Sequence, residues 1–163
     1  MLDWKCVDTL IRAVALASQN DNRFPLTLVG DGPERAHLEA LAHKLFPAGG
    51  VVDSNIITFI PPVSLDEVRS LMRQHDVYVL ASNAQEGWGA ALSEAMTEEM
   101  TCLGTFEAGA SAALLPSERL FHAGDYRALA KLLANVPRER TGLPYDYTPE
   151  GAARRFESLM FDV

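Results

Sequence analysis

Cysteine is scarce in this chain: Cys6 and Cys102 stand alone among 163 residues, with no CxxC pair and no Cys/His cluster. That excludes a disulfide framework and the usual thiolate metal sites, and leaves two small core thiols in a reducing compartment as the expectation. Long apolar runs are missing too. None approaches the roughly 18–20 residues of a membrane-spanning helix, and Met1 to Asp8 shows neither the charged nor the apolar segment of a secretory signal. A cytoplasmic location is therefore expected. Basic residues are outnumbered, with 14 Lys and Arg against 22 Asp and Glu and a net charge of −8. A nucleic acid or an anionic membrane normally wants a basic face, so neither is an expected partner. A phosphorylated small molecule is compatible with this charge, because a few backbone amides and one lysine can hold phosphate locally. The histidines His37, His43, His75 and His122 fall in separate segments and suggest no metal site. Of the four, only His122 is left open to a functional role.

What is present reads as one compact domain over 1–163, with 48% hydrophobic and 22% charged residues. Val7, Leu10, Ile11 and Val14 give a helix over 7–18 its apolar stripe. Pro25 to Val29 reads as a buried strand ending in the turn Gly30, Asp31, Gly32, Pro33, with a helix opening at Pro33 or Glu34 and lined by Leu38, Leu41, Ala42 and Leu45. Residues 47–51 read as loop. The pattern then repeats. A strand over 55–60 stops at Pro61 and Pro62, and Ser64 with Glu67 forms a capping box for a helix with Leu65, Val68, Leu71 and Met72 inward.

Val77 to Ala81 is a third strand, apolar enough to be covered on both faces. A polar loop over 82–87 leads to a helix over 88–98 with Ala91, Leu92 and Ala95 inward, and 100–103 reads as a weaker fourth strand. Helices are expected over 125–135, with Leu129, Leu132 and Leu133 inward, and over 149–160, with Ala152, Phe156 and Leu159 inward. Such alternation implies an α/β fold, a Rossmann-like, mostly parallel sheet with helices on both faces. Ligands of such sheets sit beyond the carboxyl ends of the strands, which here means the loops 30–33, 60–64 and 82–88. A doubly wound unit normally starts on a strand and this chain starts on a helix. The expectation is a lost first strand and a piece of a longer protein.

The informative stretch runs from Gln85 to Met96. Glu86 ends a loop after a strand, and Gly87, Gly89 and Ala90 open the following helix. Free amides at a helix N-terminus and the helix dipole suit an anion such as a diphosphate. Glu94 lies five residues after Gly89, past the first turn. A carboxylate only accepts hydrogen bonds, so it suits the diol of a ribose or a sugar ring. The bland alternative makes Glu86 a dipole partner and Glu94 a solvated side chain, and spacing alone does not exclude it.

Four segments in order settle more: Lys5 to Ala13, Leu28 to Pro33, Phe59 to Pro62, and Glu86 with Glu94, followed by Ala95 and Met96. Together they resemble the C-terminal, nucleotide-sugar-binding domain of glycosyltransferase family 4. The resemblance implies one half of a GT-B architecture and a retaining, metal-independent enzyme without a cofactor. It would move a sugar from a nucleoside diphosphate sugar to an acceptor glycan, lipid or small molecule. A missing N-terminal domain would bind that acceptor, the longer enzyme could sit peripherally at a membrane, and the isolated fragment would be inactive.

The resemblance further implies that Glu86 is catalytic, contacting the donor sugar's hydroxyls and supporting an oxocarbenium-like transition state. Glu94 would hold the ribose, and the amides of Gly87, Trp88, Gly89 and Ala90 the distal phosphate and sugar. Trp88 would wall the sugar site, Lys5 would neutralise the diphosphate, and Ile60 would line the base pocket.

The chain also departs from the family. The arginine that partners the lysine is absent, and Cys6 replaces the glycine after Lys5. Glu98, Glu99, Met100 and Thr101 replace a small residue, glycine, a variable residue and proline. A run of glycines is replaced by Glu107 to Ser111.

Other readings are a non-catalytic nucleotide-sugar-binding or regulatory module, a GT-B epimerase or phosphorylase, and a nicotinamide-dependent oxidoreductase. Gly30 to Pro33 and Asp53 hint at the last, but its fingerprint needs glycine where Arg35 stands. The run Arg138, Glu139, Arg140 reads as a solvated loop rather than a phosphate patch.

Overall fold

The computed structural model describes residues 1–18, 24–47 and 56–136. The expected helix over 149–160, Asp53, the Arg138 to Arg140 run and most of the 47–51 loop lie outside the described residues. After a short 3₁₀ turn at Asp3–Lys5, the elements run α1 (Val7–Ala17), β1 (Leu26–Val29), α2 (Arg35–Leu45), β2 (Ile57–Ile60), α3 (Leu65–Arg73), β3 (Val77–Leu80), α4 (Ala90–Thr97), β4 (Thr101–Thr105), α5 (Gly109–Leu114), β5 (Leu120–Phe121) and α6 (Tyr126–Asn135). Every strand pairing is parallel, and helices flank the strands as the alternation predicts.

The strands form two ladders among the described residues. β1 pairs with β2, and β3, β4 and β5 form a second ladder in that order. Two apolar clusters cover the two faces. The larger gathers Leu10, Ile11 and Val14 of α1, Leu38 and Leu41 of α2, and Leu129 and Leu133 of α6 around Leu28, Leu103 and Phe121. The other joins Met72 of α3, Leu92, Ala95 and Met96 of α4 and Ala110 of α5 to Leu80 and Cys102.

Most inward positions fall where periodicity puts them. Leu65 does not: it directly follows the cap, at the first position of α3, and is 70% exposed. The capping box forms in full, Ser64 Oγ accepting from Glu67 N while Glu67 accepts from Ser64 N at 2.9 Å. Those bonds hold the Glu67 carboxyl below its usual range. β4 reads as the weakest strand in sequence, yet all of its residues are buried and it is the centre of its ladder. Thr105 is tolerated there because its hydroxyl bonds inward, Oγ1 donating to Ser82 O at 2.6 Å. Cys102 is a core thiol whose burial raises its pKa to about 12. Cys6 is not in the core. It caps α1, and burial leads the effects that push its thiol upward.

Two residues other than glycine take a positive φ among the described residues: Cys6 at 48° and Glu99 at 59°. These are the positions where the resembled family carries glycine. Both are left-handed turns that glycine adopts freely and that strain Cys and Glu. At Glu99 the turn is a Schellman motif, with Met100 N on Ala95 O at 3.0 Å and Glu99 N on Met96 O at 3.0 Å. Glu99→Gly is expected to stabilise the fold by about 1 kcal/mol, a gain of roughly 2–4 °C in Tm, as relief of the turn exceeds the added chain entropy. A thermal melt showing a lower Tm would contradict it.

Candidate functional site

The site forms where the 3₁₀ turn at the start of the chain meets the loop after β3. Asn83 N donates to Trp4 O at 2.9 Å, which fixes that turn over the carboxyl end of β3. Lys5, whose Nζ lies 4.2 Å from the Trp4 ring centroid, contacts Glu86 Oε2 directly. Ser82, itself buried, donates from Oγ to the same oxygen at 3.1 Å. No hydrogen bond among the described residues engages Glu86 Oε1, so one carboxylate oxygen is held and the other is open. The Glu86 side chain is 11% exposed and that of Lys5 39%, so the pair is shielded on one side only.

After Glu86 the chain turns sharply. Gly89 has φ 87° and caps α4, a left-handed conformation that favours glycine; a Cβ there would also lie 2.6 Å from Leu80 Cδ2, so that side chain would have to shift. The helix therefore starts at Ala90, two residues later than periodicity suggests, and Gly87 and Trp88 belong to the loop. Gly109 N donates to Gly87 O at 3.2 Å and Ala110 N to Trp88 O at 2.8 Å. These bonds pin the loop's carbonyls against the start of α5. A Cβ on Gly109 would come within 2.5 Å of Gly87 O, so glycine is also what permits this close approach. The amides of Gly87, Trp88, Gly89 and Ala90 make no hydrogen bond among the described residues. They are available to an anion, with open space over Gly87. Trp88 is 51% exposed beside them.

Glu94 lies in the second turn of α4, partly buried. Tyr78 in β3 has its hydroxyl pKa raised, first by burial and then by the negative charges of Cys102, Glu86 and Glu94. Tyr78 and Ser82 escaped sequence reasoning because nothing in a strand's own pattern marks which residues stand beside a distant carboxylate.

Ile60 stands apart. It ends β2, where its carbonyl accepts from Gly30 N at 3.0 Å, and no β2 residue lines the cavity beside Lys5 and Glu86. Arg35, also missed, donates to Gly30 O at 2.9 Å and lies 4.9 Å from the Phe59 ring centroid. It occupies the position of the third glycine in a dinucleotide fingerprint, where glycine would permit close packing of helix on strand.

His122 is exposed and pairs with Glu107 at 3.0 Å. Partial burial works to raise the Glu107 pKa, but hydrogen bonds from His122 and Ala123 N outweigh it and hold the carboxyl below its usual range. Among the described residues, no group of His, Cys, Asp or Glu side chains is arranged to hold a metal ion, and no helix is long and apolar enough to cross a membrane.

Comparison with known proteins adds a family match and a set of similar folds. The family model described as "Glycosyl transferases group 1" matches residues 1–146. The catalytic domain of a cholesterol-alpha-glucosyltransferase from Helicobacter pylori superimposes with a TM-score of 0.65 at 22% identity, over 82% of this chain and 78% of that one. A UDP-forming alpha,alpha-trehalose-phosphate synthase from Burkholderia xenovorans gives 0.67 at 15% identity, over 96% of this chain. A trehalose-6-phosphate synthase gives 0.66 at 14% identity over the same share. The chain spans only 37% and 38% of those two synthases. At these identities the likeness is one of fold. No curated protein sequence matches the chain.

Proposed function

Since the chain belongs to the group 1 glycosyl transferases, we propose that it is the donor-binding half of a retaining, metal-independent enzyme of the family 4 type, transferring a sugar from a nucleoside diphosphate sugar. The observation that carries this reading is the clasp of Lys5 on Glu86 beside the unbonded amides of Gly87 to Ala90. A lysine, a set of free amides and a carboxylate with one open oxygen are the groups that a sugar diphosphate needs side by side.

In this reading the diphosphate lies on the amides at the α4 N-terminus, where the helix dipole adds to the attraction. Lys5 turns from Glu86 toward the phosphate and offsets the charge that accumulates as the diphosphate departs. Glu86, held by Ser82, offers its open oxygen to the sugar's hydroxyls and supports the oxocarbenium-like transition state. Glu94 accepts from the ribose diol, Trp88 walls the sugar, and Ile60, from the neighbouring ladder, borders the base. No cofactor enters the scheme. The acceptor, a glycan, lipid or small molecule, is bound by a separate domain, so the isolated chain binds donor without transferring it. This reading places the enzyme in the cytoplasm and leaves any peripheral attachment to a membrane to the longer protein, since a net charge of −8 does not favour an anionic surface.

A thermal-shift panel of UDP, GDP, ADP, UDP-glucose and NAD tests the assignment. UDP-glucose is the first compound to try, because similar folds carry the names of a glucosyltransferase and a UDP-forming synthase. A nucleoside diphosphate or its sugar should raise Tm, by RT ln(1 + [L]/Kd) in free energy, about 2.7 kcal/mol at 100 times Kd. Stabilisation by NAD alone would sink the glycosyltransferase reading.

A further inference from the structure

β4 and β5 stay paired to their ends: Thr105 lies opposite Phe121, and Phe106 N donates to Phe121 O at 3.0 Å. The next residues, Phe106, Glu107 and His122, therefore leave the carboxyl edge of the sheet side by side, outside the cavity that Lys5 and Glu86 line. We propose that these three residues form a carbohydrate subsite, which takes one pyranose ring of the acceptor, with its C–H face on Phe106 and one hydroxyl on His122 Nε2. Its place in the transfer rests on the donor reading above; its ability to bind a sugar does not.

The histidine is held on two sides and open on a third. Its Nδ1 lies 3.0 Å from Glu107 Oε1, and its ring packs on Phe106 with centroids 4.9 Å apart and planes 35° from each other. Glu107 is fixed in turn by Ala123 N, which donates to Oε2 at 3.1 Å. Partial burial works against the charge on this carboxyl, but the bonds from His122 and Ala123 N outweigh it and keep the group ionised. A carboxylate only accepts, so the neutral imidazole carries its proton on Nδ1 and a lone pair on Nε2. Nε2 makes no hydrogen bond among the described residues, and the His122 side chain is 74% exposed. An exposed ion pair adds little to stability and costs side-chain freedom. A ring oriented in this way serves a ligand that donates to a fixed acceptor.

The neighbouring surface selects the ligand. Phe106 is 44% exposed and offers an apolar, electron-rich face. A pyranose with equatorial hydroxyls turns C–H groups to its faces and O–H groups to its rim, so it meets a ring face and a lone pair together. The Glu107 charge disfavours a phosphate here, which sets this subsite apart from the amides before α4. Position supplies the source of the ring. Two residues after Glu107, Gly109 N donates to Gly87 O at 3.2 Å, and Ala110 N donates to Trp88 O at 2.8 Å. The turn that carries the subsite is thus bonded to the loop proposed to hold the donor sugar, and a ring seated on Phe106 adjoins the transfer. That ring is the acceptor's, and the rest of the acceptor lies on the separate domain. The resembled family carries a run of glycines where this chain has Glu107 to Ser111, so the carboxylate that orients His122 is one of the chain's departures.

Methyl β-glucopyranoside is titrated into the whole chain, isotope-labelled for NMR, with its fully O-methylated form as the control. Saturable shifts are expected at the His122 ring and the Ala123 amide, with a midpoint of about 1 mM, ordinary for a ligand this small. The O-methylated form keeps the ring but cannot donate, and should bind about tenfold more weakly. His122→Phe keeps a ring and loses Nε2, whereas Phe106→Ala loses the face; each should weaken binding about tenfold. Saturating UDP-glucose should leave the glucoside midpoint unchanged, because donor and acceptor rings occupy different places. Competition by UDP-glucose would assign the ring to the donor's own sugar and overturn the proposal. So would an absence of shifts at His122, equal binding of the O-methylated form, or parent-like binding by His122→Phe. A chain that binds the glucoside but no nucleoside diphosphate or its sugar would keep this subsite and sink the donor reading.

Discussion

Glu94→Ala is expected to weaken binding of UDP or its sugar by about 10–100-fold. A hydrogen bond to a charged acceptor is worth about 1.5–3 kcal/mol, and each 1.4 kcal/mol is tenfold in affinity. The ribose belongs to both ligands, so both should lose equally. Glu86→Ala should behave differently. Removing this carboxylate takes an acceptor from the sugar but frees Lys5, which now contacts Glu86 Oε2. The sugar nucleotide should therefore bind more weakly while bare UDP binds as well as before or better. Isothermal titration of both ligands against both variants separates the two roles. If both variants bind the whole donor like the parent, the site is elsewhere.

The largest stability effect is expected at Phe121. It belongs to a two-residue strand that no periodicity announces, yet it is 2% exposed in the cluster that joins α1 and α6 to the sheet. Phe121→Ala should cost about 3–5 kcal/mol, the transfer term plus the cavity left behind. Against a typical total of about 5–15 kcal/mol, this brings the fold near its threshold. Phe106, 44% exposed, is the control, and its alanine variant should stay within about 0.5 kcal/mol. Urea melts reading a loss below about 1 kcal/mol at Phe121 would show that this part of the core is misplaced.

Both predictions rest on contacts that sequence reasoning could only partly reach. α1, α2, α3 and α6 were legible because an apolar stripe repeats at the helical period, a property of neighbouring residues. The same holds for the capping box at Ser64 and for the apolar runs of β1 and β3. β4 was harder, since its threonines look solvent-loving, and only the fold shows the Thr105 hydroxyl partnered by Ser82 O. α5 and β5 carry too few residues for any period to show. The left-handed turns at Cys6 and Glu99 run against local preference and are held by the packing around them.

The site divides along the same line. Glu86, Glu94 and the small residues between them form one local stretch, so spacing and resemblance could single them out together. The clasp of Lys5 on Glu86 spans 81 positions, and its existence depends on how α1 and the loop after β3 are stacked. The parting of the strands into two ladders is likewise invisible in a strand's own pattern, because which edges meet is a property of the assembled sheet. Sequence alone determined the alternating α/β plan and singled out the run of residues proposed to face the ligand. Tertiary structure decided which charges meet, which edges stay open and which residues are buried, because those depend on free energies shared between segments far apart in the chain.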